Sequence, residues 1–315
     1  MNIISKLRHI KDKYNLFVDE NYNIGFIDNF FPETLLREQK LPRIKWMKHS
    51  YRDRFFADPF ILDFNDSTIT ILVEECLFNE HVGRISQLLV DRRTKELIDR
   101  RVLLELDTHL SYPFIKSIGD GVYVFPENSQ SGRLDCYKLS DSYNFSETKL
   151  THISTLIKEP LVDATIFIND DLYYIMATKS PNTQSDLYLF QADELLGEYT
   201  LCGCVATGLR ARPAGDVFTV NGSLFRPAQN CEKRYGANID IVEIHINDGK
   251  YAEERKFSIY PDSFKYHLGL HTLNFKDGLC VIDGYGYLYP ILGRLREYLY
   301  TATTIVKKIF RITQH

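Results

Sequence analysis

The sequence predicts an all-β fold, a five-bladed β-propeller, followed by a C-terminal amphipathic helix. Three observations carry that prediction. Five segments in which a polar or proline-bearing signal runs straight into an apolar strand recur along the chain. Their markers, Asp58, Tyr112, Asp163, Arg212 and His271, are spaced by 54, 51, 49 and 59 residues. A turn of Asn, Asp, Gly or Lys follows each marker strand, and then a second apolar run. Finally, 20 Phe and 20 Tyr against 1 Trp give the chain many side chains that suit half-buried pleated surfaces. Repeated β-meanders of about 50 residues point to radial repetition, which leaves only short, protected sheet edges.

The first strands begin at Ala57-Asp58-Pro59-Phe60-Ile61, Ser111-Tyr112-Pro113-Phe114-Ile115, Asp163-Ala164-Thr165-Ile166-Phe167, Arg212-Pro213-Ala214-Gly215-Asp216-Val217-Phe218 and His271-Thr272-Leu273-Asn274-Phe275. Their turns are Asn65-Asp66, Gly119-Asp120-Gly121, Asn169-Asp170-Asp171, Asn221-Gly222 and Lys276-Asp277-Gly278. Such residues accept positive φ, the demand of a tight hairpin. Second strands follow at Thr68–Val73, Val122–Phe125, Leu172–Met176, Ser223–Phe225 and Leu279–Ile282. Third strands are expected in four units, at Arg84–Val90, Arg133–Leu139, Asp186–Phe190 and Ile239–Ile246. The fifth unit has no outer strand after Asp283. A ring must close, so the alternating segment Tyr14–Ile27 is expected to supply the missing edge. A two-domain β-sandwich is the competing architecture, but it leaves the even spacing unexplained.

The chain thus divides into an N-terminal segment at 1–39, the propeller at 40–288 and a tail at 289–315. In the tail, Leu292, Leu295, Leu299, Ala302, Val306 and Ile309 fall at helical spacing. Arg294, Arg296, Lys307, Lys308 and Arg311 against Glu297 make its polar face basic. Two readings stand: a helix packed on the propeller, or a helix over 290–311 that meets a membrane surface or a partner.

Composition narrows the function classes. The 315 residues are 44% apolar and 25% charged, the mix of a globular chain with a sizeable core. A net charge of −4 argues against a general nucleic-acid surface. The N-terminal residues hold no signal-peptide apolar run, and no stretch is long enough to span a bilayer. A cytoplasmic protein, peripheral at the inner membrane face if the tail binds there, is therefore expected, with six reduced cysteines. Cys202-Gly203-Cys204 is the only close pair, and no second pair stands at zinc spacing, so no metal site is expected there.

In a propeller the entries of the innermost strands and the exits of the second strands gather on one face. The entries contribute Asp58, Tyr112, Asp163, Arg212 and His271. The exits contribute Glu74 and Glu75, Glu127, Lys179, Arg226, Gln229 and Asp283. Burying charge unpaired is expensive, so this density means either a mutually paired network or a ligand site. Carboxylates at such a mouth fit glycosidic chemistry, which needs a base or nucleophile and a proton donor held at different pKa values. Asp58 is the expected base or nucleophile and Glu127 the donor, with Glu75 as the alternative. Asp163 orients the sugar or tunes the pair. Tyr112 and Phe114 are expected to stack on a sugar ring, and His109, His271 and Gln229 to bond hydroxyls. Lys179, Arg212, Arg226 and Asp283 complete the expected lining. No Walker, Rossmann, nucleophile-elbow or zinc-protease motif is present, so no cofactor is identified. A channel metal held by His271 and carboxylates stays open.

Seven motifs in order carry a family resemblance: Phe56-Ala57-Asp58-Pro59-Phe60, His109-Leu110-Ser111-Tyr112-Pro113, Pro126-Glu127-Asn128, Val162-Asp163-Ala164-Thr165, Arg212-Pro213-Ala214-Gly215, Arg226-Pro227-Ala228-Gln229 with Tyr235-Gly236, and Leu270-His271-Thr272-Leu273-Asn274. The series resembles the N-terminal domain of the glucosamine inositolphosphorylceramide transferase family over roughly residues 40–285. That domain also occurs alone in bacterial polysaccharide loci. It is similar in turn to the five-bladed propellers of arabinanase-like and xylosidase-like glycoside hydrolases, whose catalytic set is Asp, Asp, Glu. Asp58 stands where their first Asp is expected, whereas Tyr112 replaces the second-blade Asp and Asp163 leads to no evident Glu. In the transferase family, sugar transfer is associated with a separate C-terminal domain.

Two functions are expected from this. One is cleavage or transfer of a glycosyl unit during envelope-polysaccharide biosynthesis inside the cell. The other is a non-catalytic propeller that binds a glycan or docks biosynthetic partners.

Overall fold

The computed structural model describes residues 20–140, 145–247 and 249–295. They form five four-stranded antiparallel sheets, the blades of a propeller. Blade 1 is β3 (Arg54–Phe64), β4 (Thr68–Leu77), β5 (Gly83–Asp91) and β6 (Leu97–Leu104). Blade 2 is β7 (Ser111–Ile118), β8 (Gly121–Glu127), β9 (Leu134–Leu139) and β10 (Leu150–Ile157). Blade 3 is β11 (Leu161–Asn169), β12 (Leu172–Lys179), β13 (Asp186–Ala192) and β14 (Thr200–Thr207). Blade 4 is β15 (Phe218–Val220), β16 (Ser223–Asn230), β17 (Asn238–Asn247) and β18 (Lys250–Ile259). Five separate sheets exclude the two-domain sandwich.

Blade 5 closes the ring with both ends of the chain. Its order is β19 (Leu273–Lys276), β20 (Leu279–Tyr287), β1 (Glu20–Asp28) and β2 (Lys45–Trp46). β1 pairs with β20 over its whole length, from Glu20↔Tyr287 to Asp28↔Leu279. The propeller thus takes in residues ahead of the expected boundary at 40. Helix α1 (Pro32–Glu38) joins β1 to β2; a proline opens it and Leu35 anchors it in the core. Residues 290–295 are helical, and the rest of the expected amphipathic helix, 296–315, lies outside the described residues. So do residues 1–19. No helix among the described residues is long and apolar enough to cross a membrane.

The hairpins form as their turn residues demand. Asp170 and Asp171, Asn221 and Gly222, and Asp277 and Gly278 are consecutive pairs with positive φ, the backbone that matches strand twist. An apolar cluster cements each neighbouring pair of blades. Phe125 and Ile166 belong to the cluster between blades 2 and 3, Val73 and Phe26 to that between 1 and 5, and Phe218 and Leu273 to that between 4 and 5. Met176 meets Ile244 between blades 3 and 4, and Leu72 meets Val124 between blades 1 and 2. The blades are therefore held as wedges around an axis onto which the inner strands open.

Candidate functional site

The inner strands of blades 1, 2 and 3 carry the same defect. Register slips between Ala57 and Phe60, between Ser111 and Phe114, and between Val162 and Thr165. The markers sit inside these bulges, Asp58 at φ 51°, Tyr112 at 41° and Asp163 at 51°. Left-handed backbone is uncommon outside glycine and for a bulky residue is a true outlier, held only where the surroundings over-determine it. A bulge re-aims the residue it carries. Here it sends three side chains across to neighbouring blades.

Asp58 ties blades 1, 2 and 5. Its carboxylate accepts the Tyr112 N–H at 3.1 Å and the Thr272 hydroxyl at 2.7 Å, while its own N–H donates to Asp283 at 3.0 Å. Asp283 also accepts the N–H groups of His271 (3.1 Å) and Thr272 (2.8 Å) and pairs with His271 Nδ1. Across the channel, Arg212 grips Asp163 with two N–H donors, and the Gln229 Nε2–H donates a further hydrogen bond at 2.9 Å. The same guanidinium lies 3.8 Å from Glu127 and over the Tyr235 ring at 5.1 Å. Glu127 accepts the Ser129 hydroxyl at 3.0 Å and the Asp163 N–H at 3.4 Å. Glu74 lies 3.3 Å from His109 Nε2. His109 Nδ1 accepts the Gly83 N–H at 2.9 Å, so the ring carries its hydrogen on Nε2 and presents it to Glu74.

Burial sets the protonation states. It pushes Glu127 up to about 8, reinforced by the Asp163 charge and opposed by Arg212. It pushes Asp58 up to about 6, where His271 restrains the rise. Glu74 is held well above the carboxylate range by burial and then by the Asp58 charge. Burial draws His271 down, but Asp283 and Asp58 outweigh it and leave the imidazole at about 9. At neutral pH the site therefore holds a protonated Glu127, an ionised Asp58 and an imidazolium.

Asp58, Glu127, Asp163, Arg212, Gln229, His271 and Asp283 come together as the sequence predicts, with His109 at the edge. Glu75, Lys179 and Arg226 do not. Glu75 is fully enclosed in blade 1 by Arg54, Arg84, Arg100 and the Ser86 hydroxyl. Lys179 pairs with Glu159 at 2.7 Å and lies over the Tyr188 ring in blade 3. Arg226 is fully buried in blade 4 on the carboxylate of Glu253 and the Ala211 carbonyl. Strand alternation explains each displacement. Glu74 pairs in register with Ala57 and Glu127 with Ser111, each the residue before a marker. Glu75 stands one residue beyond that position, Lys179 one beyond Thr178, and Arg226 three before Gln229, so all three face the other way.

The expected sugar-stacking roles of Tyr112 and Phe114 are also corrected, because both rings are fully buried. The Tyr112 hydroxyl instead bonds Thr165 Oγ1 and accepts the Gly215 N–H, both at 2.8 Å, and closes the channel below the carboxylates. Thr272, Ser129 and Tyr235 also reach the mouth without having been assigned a place there, and Glu74, named among the exits but given no role, stands where Glu75 was expected. Counting register from the markers would have chosen Glu74 over Glu75.

Asp58, His271 and Asp283 place one potential metal-ligand atom each within 4.8 Å of the others. Each of these carboxylates already accepts hydrogen bonds within the protein. Asp283 accepts three backbone N–H groups besides the His271 ring, and both Asp58 oxygens are bonded. The three form an ion-paired network around the His271 ring. A second group, Glu243, His245 and Glu254, is bridged by Lys256 at 3.0 and 3.3 Å.

Among solved structures the chain is similar to an α-L-arabinofuranosidase from Lactobacillus brevis, with a TM-score of 0.51 and 12% identity over 71% of this chain and 80% of that one. An exo-β-1,3-galactanase from Clostridium thermocellum gives a TM-score of 0.51 and 10% identity over 66% and 50%. A GH43 β-1,3-galactosidase gives 0.51 and 13% over 66% and 46%. At such identities the likeness is one of fold. Among curated sequences, glucosamine inositolphosphorylceramide transferase 1 of Arabidopsis thaliana is 28% identical over 155 residues, 46% of this chain and 20% of that protein. Its counterpart in Oryza sativa subsp. japonica is 26% identical over 205 residues, 62% and 27%. The chain thus spans about a quarter of these relatives. The family model for their N-terminal region matches residues 44–265, which takes in every carboxylate of the channel mouth except Asp283. The chain belongs to the family described as glucosamine inositolphosphorylceramide transferase 1, N-terminal.

Proposed function

We propose that the channel mouth is an acid–base site acting on a glycosidic bond, in a protein that cleaves or transfers a glycosyl unit during polysaccharide or glycolipid assembly. One observation carries the reading: two buried carboxyls, Asp58 and Glu127, reach one mouth from neighbouring blades, and burial raises Glu127 further than Asp58. Asp58 takes the proton of the attacking hydroxyl, whether water or a sugar acceptor. The acceptor oxygen bonds to the anomeric carbon, the glycosidic C–O bond breaks, and Glu127 gives its proton to the departing oxygen. Asp163 does not touch the reacting atoms in this scheme. Fixed by Arg212 and Gln229, its charge keeps the Glu127 proton in place. The names of the curated relatives, glucosamine transferases, support a sugar-handling role.

A second reading, glycan recognition without turnover, is favoured by the closure of the site. Asp58 is 5% exposed, Glu127 8% and Asp163 1%, and each is bonded within the protein. Asp58→Asn separates the two. The amide keeps the size of the side chain and removes its basicity. Acid–base catalysis predicts a fall in turnover of at least about a hundredfold with glycan affinity little changed. Recognition alone predicts no turnover in the parent chain.

A further inference from the structure

The opposite end of the channel has a chemistry of its own. The inner strands run in one direction round the ring, so residues a few positions downstream of each marker gather about 10–15 Å from the carboxylates. Between the two ends stands the floor of Tyr112, Thr165 and Gly215. Beyond it lies a cavity of about 230 Å³, lined by Lys116 of blade 2, Asp216 of blade 4, and Asn274 and Lys276 of blade 5, with Phe60 and Phe275 on its walls. Each lysine is half-buried and donates to one carbonyl of the next blade, Lys116 to Ile166 at 3.2 Å and Lys276 to Leu62 at 2.6 Å. Two N–H donors remain on each ammonium. Among the described residues neither lysine has a carboxylate within ion-pair distance, and the Oδ1 of Asp216 has no hydrogen-bond partner.

Two ammonium groups brought into one concave space from separate blades, with donors to spare, outweigh the single carboxylate of the lining, Asp216, and form an anion receptor. We propose that this far mouth binds a phosphate-class oxyanion, free or carried on a sugar, at a site separate from the carboxylate mouth. The apolar walls of Phe60 and Phe275 strengthen each charge-assisted bond by excluding water. The proposal does not depend on the glycosidic reading.

Calorimetric titration of the full chain with inorganic phosphate, against chloride at matched ionic strength, tests it. Saturable binding is expected, and Lys116→Gln and Lys276→Gln should each weaken it at least about tenfold, the loss of a charged donor. Asp58→Asn should bind phosphate like the parent. A hexose phosphate that binds tighter than the free ion marks a sugar phosphate as the occupant; the reverse order marks the ion. No saturable heat in the parent, undiminished binding in both lysine variants, or loss of binding in Asp58→Asn overturns the proposal. Should the lysine variants fail to fold, the Nζ resonances of the unaltered chain decide: they shift with phosphate and not with chloride, or the proposal fails.

Discussion

Replacing Glu127 with Gln should flatten the pH dependence of stability over a defined window. The folded carboxyl titrates near 8 and the unfolded one near 4.5. Between those values the folded chain keeps a proton that the unfolded chain releases. The stabilisation is fully present below the unfolded pKa and is lost as pH rises towards the folded one. One such proton changes the unfolding free energy by about 1.4 kcal/mol per pH unit. From pH 5 to 7.5 the loss attributable to Glu127 is therefore about 3 kcal/mol. Gln carries no titrating proton, keeps the size of the side chain and still accepts one of the two bonds, from the Ser129 hydroxyl or the Asp163 N–H. His271, raised from 6.5 to about 9, and Asp58, raised from 3.8 to about 6, act in the same sense and remain in the variant. Urea unfolding of both proteins at pH 5, 6 and 7.5 reads the difference. The parent should lose about 3 kcal/mol more than the variant across the window. Parallel curves would mean that Glu127 is already ionised in the folded chain, and the assignment of the proton donor would fall.

Two further substitutions separate framework from site. Glu75→Gln removes the buried charge that three half-buried arginine heads share in blade 1, so urea unfolding should show a loss of about 3–5 kcal/mol while glycan affinity per folded molecule is unchanged. Tyr112→Phe deletes the hydroxyl that accepts the Gly215 N–H and bonds Thr165, and thermal or chemical denaturation should report a cost of about 1–3 kcal/mol.

The repeat was legible because the inner two strands of each blade are apolar and bounded by strong turn signals, as at Asn221-Gly222 and Asp277-Gly278. The outermost strands were not. Leu97–Leu104, Leu150–Ile157, Thr200–Thr207 and Lys250–Ile259 are largely solvent-facing, so no apolar alternation betrays them. Closure by β1 was readable from topology, since the fifth meander lacked its outer strands. In the site, the markers were legible because a bulge needs a residue that breaks the strand pattern, and Asp58 and Asp163 do so. The faces of the second strands were harder. Glu74 and Glu75 are adjacent and chemically equivalent, and only the register across a bulged hairpin decides which faces the channel. Arg226 looked functional for its charge, yet its partner Glu253 lies on β18, a strand whose existence the sequence did not announce.

The most direct test of the acid–base account compares two leaving groups. On an oligosaccharide that the parent chain turns over, Glu127→Gln and Asp58→Asn should each lose at least about a hundredfold in turnover. On the dinitrophenyl glycoside of the same sugar, whose leaving group departs without a proton, Glu127→Gln should recover most of the parental rate while Asp58→Asn stays impaired. Equal loss of both substrates in Glu127→Gln, or parental turnover in Asp58→Asn, would contradict the roles given to these two carboxyls.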